Sequence, residues 1–263
     1  MIGLGSNLAS ASIHEQMYSV TLDGTGDYVA LPIAIKRTTG SLSIWFKTNN
    51  FDNQILIGAG DKDSANNFYQ IAFGDALTSG FADEVMEWTV RIAGSNVIQA
   101  TYRSATTALF RDGNWHNIVL TVSGSANLIY MDGTVLASGS AQEQLNYQVG
   151  ATSTGNILLS TSDFDSVGIG RRFVPSSPVN WNGNADEMAI WSSVLDADAV
   201  AAVYNSGKPF DLTSNRGNYD VSGDLVNYWR LNDGSGTTVV DPVGGNDGTL
   251  SADAAFSTDT ADD

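Results

Sequence analysis

The strongest constraint on this chain is a period of two in its apolar residues. In "YSVTLDG" Tyr18, Val20 and Leu22 alternate with Ser19 and Thr21, and in "SLSIWFKT" Leu42, Ile44 and Phe46 alternate with Ser43, Trp45 and Lys47. In "EWTVRIAG" Trp88, Val90 and Ile92 alternate with Glu87, Thr89 and Arg91. Successive side chains of a strand point to opposite faces, so each segment reads as a strand with one face buried. Further strands are indicated at "QILIGAG", "FYQIAFG", "VIQATYR", "HNIVLTV", "NLIYM", "TVLASG", "SVGIG" and "DEMAIWSS". Roughly a dozen such runs, separated by turn residues, call for two sheets packed face to face. Between "NLIYM" and "TVLAS", Asp132-Gly133 predicts a type I′ hairpin, because both central residues need positive φ. A single helix is expected at "LDADAVAAVYNSG". Asp196 is its N-cap, Leu195 staples against Val200, and Val200, Val203 and Tyr204 form its apolar stripe before a stop at Gly207.

Composition narrows the partners. The chain has no cysteine, which excludes disulfides and thiolate metal sites. Twelve basic residues face 29 acidic ones, a formal charge of −17. Such a field repels phosphate backbones and anionic lipid, so neither nucleic acid nor a membrane is an expected partner. The surplus either keeps the protein soluble or favours divalent cations. The first residues, "MIGLGSNLASASIHEQ", lack a basic n-region and an apolar h-region, and there is no N-x-S/T sequon. A product that bypasses a glycosylating secretory route is the expectation.

The segments "TLDGTGDYVAL", "GSLSIWFKT", "GNWHNIVLTVSGSANLIYMDGTVLASG", "VGIGRR" and "WNGNADEMAIWSSVLDADAVAAVYNSG" stand in this order. Together they resemble the laminin G-like branch of the concanavalin A-like lectin/glucanase superfamily, over about Tyr18 to Gly207. The most specific pieces are Trp115-His116 ahead of a strand, the hairpin from Tyr130 to Gly133, and Asp186-Glu187 entering the strand before the helix. The resemblance implies an all-β, two-sheet antiparallel jelly-roll sandwich with one short helix. In that branch a segment like "LVNYWRLNDGSGTTVVDPVGGNDGTL" often comes first, whereas here it follows the helix. The resulting plan is an N-terminal arm at 1–17, a jelly roll at 18–250 and an acidic tail at 251–263 that frays. The jelly roll divides into a core at 18–207, a connector at 208–224 and a permuted strand within 225–250. That strand fills the first-strand slot either of its own domain or of a neighbouring subunit.

Candidate chemistry is sparse. Glucanases of the superfamily carry a Glu-x-Asp-x-(x)-Glu pattern on one strand, and the nearest segment, "ADEVMEW" with Asp83, Glu84 and Glu87, has Ala82 or Phe81 where the first Glu should stand. Retaining hydrolysis needs two carboxyls about 5 Å apart, so no enzyme is expected. His14 and His116 cannot build a zinc site unaided. Calcium is the cofactor to look for, because it wants several oxygens from carboxylates and glycine turns. The resemblance places it at Asp23 or Asp27 with Asp186, against the alternative that Asp23 and Asp27 only shape their turn. A loop with Asp61 and Asp63, together with Trp45 and Trp181, supplies the glycan-binding candidates. Either tryptophan stacks on a sugar ring or is buried against the second sheet.

Three functional classes follow. The first is a non-enzymatic virion structural or decoration protein on the outside of a phage particle, oligomeric with other virion or assembly proteins, made in the host cytoplasm and docked by its arm. The second is an extracellular module that binds glycans, and the third is a glycan-active enzyme.

Overall fold

A computed structural model describes residues 16–32, 39–74, 84–104, 109–123, 127–136, 143–149, 164–175, 179–251 and 253–262, with the backbone alone at 84–85 and 143–149. Among them the strands are β1 Ser19–Asp23, β2 Tyr28–Leu31, β3 Gly40–Lys47, β4 Gln54–Asp61, β5 Ser64–Phe73, β6 Glu84–Ile92, β7 Ser95–Ser104, β8 Trp115–Val122 and β9 Asn127–Met131. They continue with β10 Thr134–Val135, β11 Glu143–Val149, β12 Ser166–Ile169, β13 Asn182–Trp191, β14 Leu225–Trp229, β15 Thr238–Val239, β16 Gly248–Ser251 and β17 Ala255–Ser257. The α-helix, α1, is Ala197–Tyr204. No helix among the described residues is long and apolar enough to cross a membrane.

The strands form two antiparallel sheets. One has eight strands in the order β10-β9-β8-β3-β13-β1-β17, with β14 also on β13, and the other has nine in the order β11-β7-β6-β5-β4-β12-β2-β16-β15. The alternating apolar residues meet between them: Val20, Leu42, Ile44 and Phe46 from one sheet pack with Ile71, Phe73, Trp88 and Val90 from the other. The fold class is the β-sandwich with one short helix.

A second, smaller core lies on the outer face of the eight-stranded sheet, where α1 covers it. Leu195, Val200 and Val203 pack there with Val119, Trp191 and Tyr228. Asp196 caps the helix by accepting from the Ala199 amide at 2.8 Å. The left-handed stop is Asn205 at φ 47°, two residues ahead of Gly207, because asparagine tolerates that conformation and comes first. The stretch from Asp211 is more than a connector. Tyr219 is buried there, donating to the Leu212 carbonyl at 2.7 Å and accepting from Trp191 Nε1 at 3.0 Å.

The C-terminal segment enters both sheets of its own chain. β13 runs between β3 on one side and two strands end to end on the other. Its first half pairs β1 (Val20 with Ala185) and its second half pairs β14 (Met188 with Trp229). β16 then pairs β2, and β17 pairs β1. The acidic tail, expected to fray, is built in: Asp259 binds Lys47 Nζ at 2.7 Å and Trp115 Nε1 at 3.0 Å. Together with the β17–β1 pairing, those two partners hold the tail on the sheet.

Asp132 and Gly133 have φ of 50° and 74°, as a type I′ turn requires. Asp132 also accepts from His116 Nδ1 at 2.7 Å and from the Asn117 amide at 2.9 Å, and Asp112 lies 3.2 Å from His116 Nε2. Burial pushes the His116 imidazole down, but the hydrogen bonds and charges of Asp132 and Asp112 outweigh it and hold it above its ordinary value of 6.5. A group raised on folding stabilises fully below its unfolded pKa and loses that contribution as pH rises through the folded one. Thermal unfolding from about pH 6 to about pH 9 should therefore show a decline that His116→Gln flattens. Parallel melting profiles for the two proteins would refute this.

Candidate functional site

The predicted residues separate into those the fold buries and those it groups at the surface. Trp45 and Trp181 are both buried, so neither can stack on a sugar, which corrects the glycan expectation for them. Trp45 does point to the outer face, but α1 packs over it and Tyr204 stacks on its ring at 5.7 Å. Trp181 enters the main core between Phe46 and Phe73, each 5.7 Å from its ring. Asp23 Oδ1 accepts from the Thr25 amide at 2.6 Å, and Asp27 Oδ2 from the Asp23 amide at 3.2 Å. These are turn bonds.

Asp186 lies apart from that turn, fully buried on β13 and bonded to Gln16 and Ala261, which are remote from it in the sequence. Its Oδ1 accepts from Gln16 Nε2 at 2.6 Å and its Oδ2 from the Ala261 amide at 3.2 Å. Burial, and then the adjacent Glu187, push its carboxyl well above the usual carboxylate range. A group that occupies its oxygens with three buried donors, the third being the Glu187 amide at 3.0 Å, is a structural latch. His14 and Asp83 lie outside the described residues. Glu87 is buried on the outer face of the nine-stranded sheet, accepting from Gln70 Nε2 at 3.3 Å and from the Thr89 hydroxyl.

Asp61 and Asp63 are brought together with a third carboxylate. β4 and β5 turn at Lys62-Asp63, and β12 pairs β4 with Ser166 opposite Gly60, which delivers Asp165 to the same corner. Ligand oxygens of Asp61, Asp63 and Asp165 lie within 4.8 Å of one another, the one such trio among the described residues. The trio could hold a metal ion. Asp165 already accepts from the Lys62 amide at 3.0 Å and faces Lys62 Nζ at 3.6 Å, so any ion would compete with an exposed ammonium.

Beside this corner opens a cleft of about 670 Å³, lined by Tyr28, Lys62, Asp165, Ser166, Arg171 and Phe173 among others. Its wall is the segment after β12, which folds back over the sheet because glycines leave room for it. A Cβ on Gly58 or Gly60 would collide with the carbonyl oxygens of Arg171 and Phe173, and one on Gly168 with Val29 O and the Phe173 ring. Tyr28 is half-buried, edge-on to Phe173 at 5.3 Å, and the Arg171 guanidinium lies 5.1 Å from the tyrosine ring centre. Deeper in the same segment, burial holds the Arg172 guanidinium below its ordinary range while the charge of Glu87 opposes the shift. Aromatic rings, a planar cation and the Asp165 carboxylate around one opening are groups that orient a polar ring-shaped ligand. Spacing gave no route to Asp165 or Arg171. They join Asp61 and Tyr28 only through strand pairing.

Comparison with known proteins adds the following. The family described as the Concanavalin A-like lectin/glucanases superfamily, in its laminin G form, matches residues 23–201. No curated protein matches the sequence. Among solved structures, a Bacteroides ovatus protein provisionally called a carbohydrate binding protein is similar with a TM-score of 0.59 and 18% identity, over 93% of this chain and 61% of its own. A leech intramolecular trans-sialidase has a TM-score of 0.51 and 12% identity, over 75% of this chain and 29% of its own. The CBM40 of a Ruminococcus gnavus IT-sialidase has a TM-score of 0.49 and 16% identity, over 71% of this chain and 96% of its own. The chain thus spans less than two thirds of the first two, and at these identities the likeness is one of fold.

Proposed function

The chain belongs to the Concanavalin A-like lectin/glucanases superfamily, and from that premise we propose that it is a carbohydrate-binding module whose ligand enters the cleft between β2 and residues 171–175. The observation that carries this reading is the pairing of Tyr28 and Arg171 at the mouth of a cleft bounded by Lys62 and Asp165. Guanidinium and carboxylate groups hydrogen-bond sugar hydroxyls, and the Tyr28 and Phe173 rings add aromatic surface for the C–H face of a sugar. Calcium at Asp61, Asp63 and Asp165 would complete the rim with a hard cation, a ligand-orienting role that suits hydroxyl oxygens.

This reading is placed ahead of virion decoration because the lining of the cleft supports it residue by residue. A glycan array probed with the whole chain is the test, with and without calcium. Binding is expected to fall about tenfold or more with Arg171→Ala, the loss of one or two charged hydrogen bonds. An array without binders, or Arg171→Ala binding like the parent, would overturn the assignment. Retention in chelator would remove calcium from it and leave the cleft.

A further inference from the structure

The wall of the cleft, a strap at residues 171–175, is laid on glycine. Ile57 and Ala59 enter the main core, so Gly58 and Gly60 take the outer face of β4, where the Arg171 and Phe173 carbonyls lie against them. Glycines leave room for the strap but offer it no side chain to hold. Its backbone is tied at its base, with Trp181 N donating to Gly170 O at 2.8 Å and Arg172 N to Val179 O at 3.1 Å. Successive side chains then reach to alternate sides. Arg171 and Phe173 go toward Tyr28 on β2, and Arg172 goes the other way, over β5, with its guanidinium 5.8 Å from the Phe68 ring centre.

A polar relay meets that guanidinium. Tyr69, Ile71, Trp88 and Val90 fill the core, so Gln70, Glu87 and Thr89 face outward, yet all three are buried. Register places Gln70 between Gly58 on β4 and Thr89 on β6. Arg172 Nη1 faces Gln70 Oε1 at 3.5 Å, and Gln70 Nε2 donates to Glu87 Oε1 at 3.3 Å. A carboxylate only accepts and a guanidinium only donates, so the amide between them has one orientation. The Thr89 hydroxyl also donates to Oε1, whereas Glu87 Oε2 is buried with no hydrogen-bond partner among the described residues. Half of the carboxylate therefore answers no donor, and attraction to the Arg172 cation offsets the cost of burying its charge. That charge does act on Arg172, where it opposes the fall in pKa that burial causes.

We propose that Glu87 and Arg172 are a positioning pair for the cleft: the buried carboxylate, through Gln70, anchors the strap from the side away from the ligand and so fixes where Arg171 and Phe173 meet Tyr28. Neither member of the pair lines the opening. Glu87 on β6 and Tyr28 on β2 stand at opposite ends of the run β6-β5-β4-β12-β2, so Glu87 is out of a ligand's reach. It acts by keeping Arg171 ordered before a ligand arrives, which lowers the entropy lost on binding. The role in binding rests on the carbohydrate reading of the cleft, whereas the anchoring of the strap does not.

The test uses Glu87→Gln and Arg172→Met in the whole chain. Glu87→Gln removes the charge and keeps both bonds at Oε1, since its new amide nitrogen falls where no donor stood. Arg172→Met cuts the same tether from the strap side, at a residue outside both cores, and serves alone if the first variant fails to fold. Without ligand, hydrogen exchange of the Arg172 and Trp181 amides should speed up about tenfold in each variant, while β8 and β9 keep the parent's rates. The double variant should exchange no faster than the single ones, because both cut one tether. On a glycan array each variant should bind the parent's ligands about tenfold more weakly, through the ordering cost. Strap amides exchanging at the parent's rate, or accelerations that multiply in the double variant, overturn the pair. Faster exchange with undiminished array binding overturns its role in the cleft. An array on which the parent binds nothing defeats the carbohydrate reading, and the exchange rates still decide the anchor.

Discussion

Ending the chain after Asp224 is expected to abolish cooperative unfolding altogether. The deletion removes β14 from β13, β16 from β2 and β17 from β1, so both sheets lose strands at once. It also takes Trp229, Leu231, Val239 and Leu250 out of the main core and Tyr228 out of the second. At about 2 kcal/mol or more for each large buried side chain, the lost burial is on the order of 10 kcal/mol. That is comparable to the whole stability of a typical domain, about 5–15 kcal/mol. The shortened chain should lack near-ultraviolet circular dichroism and a calorimetric transition. A sharp transition near the parent's temperature would show that the last strands are ornament.

Asp241→Ala is expected to be the most damaging single polar substitution in the same segment. The carboxylate is buried, and five donors converge on it. Oδ1 accepts from the amides of Tyr228 at 2.9 Å, Val243 at 3.2 Å and Gly244 at 2.9 Å. Oδ2 accepts from Asn227 Nδ2 at 2.6 Å and the Asn246 amide at 3.2 Å. Alanine strands all five, at about 1–3 kcal/mol for each buried donor that water cannot reach. Relaxation recovers part of this, leaving a loss of about 4 kcal/mol and a melting temperature lower by on the order of 10 °C. Asp241→Asn keeps the shape and one acceptor, so it should fall between the two. An alanine variant melting within about 2 °C of the parent would refute the hub.

How much of this was legible beforehand depended on how local each feature is. The alternation of Val20 and Leu22 or of Leu42, Ile44 and Phe46 shows directly which face is buried, and the Asp132-Gly133 turn is written in two residues. Trp45 shows the limit. Its outward position follows from the alternation, but its burial depends on a helix more than a hundred and fifty residues later in the chain. Asp165 joins Asp61 and Asp63 only because β12 pairs β4, and no spacing rule predicts that. The acidic tail looked unable to pack by composition alone. Its order comes from the pairing of β17 with β1 and from single bonds to Lys47, Trp115 and Asp186, which composition does not weigh.

Gln16 Nε2 and the Ala261 amide hold the two oxygens of Asp186, so segments remote in the sequence are fastened to one buried side chain of β13. The strand that β1, β3 and β14 all flank thus also carries the single knot on which both segments depend. Untying it would loosen two remote parts of the chain at once.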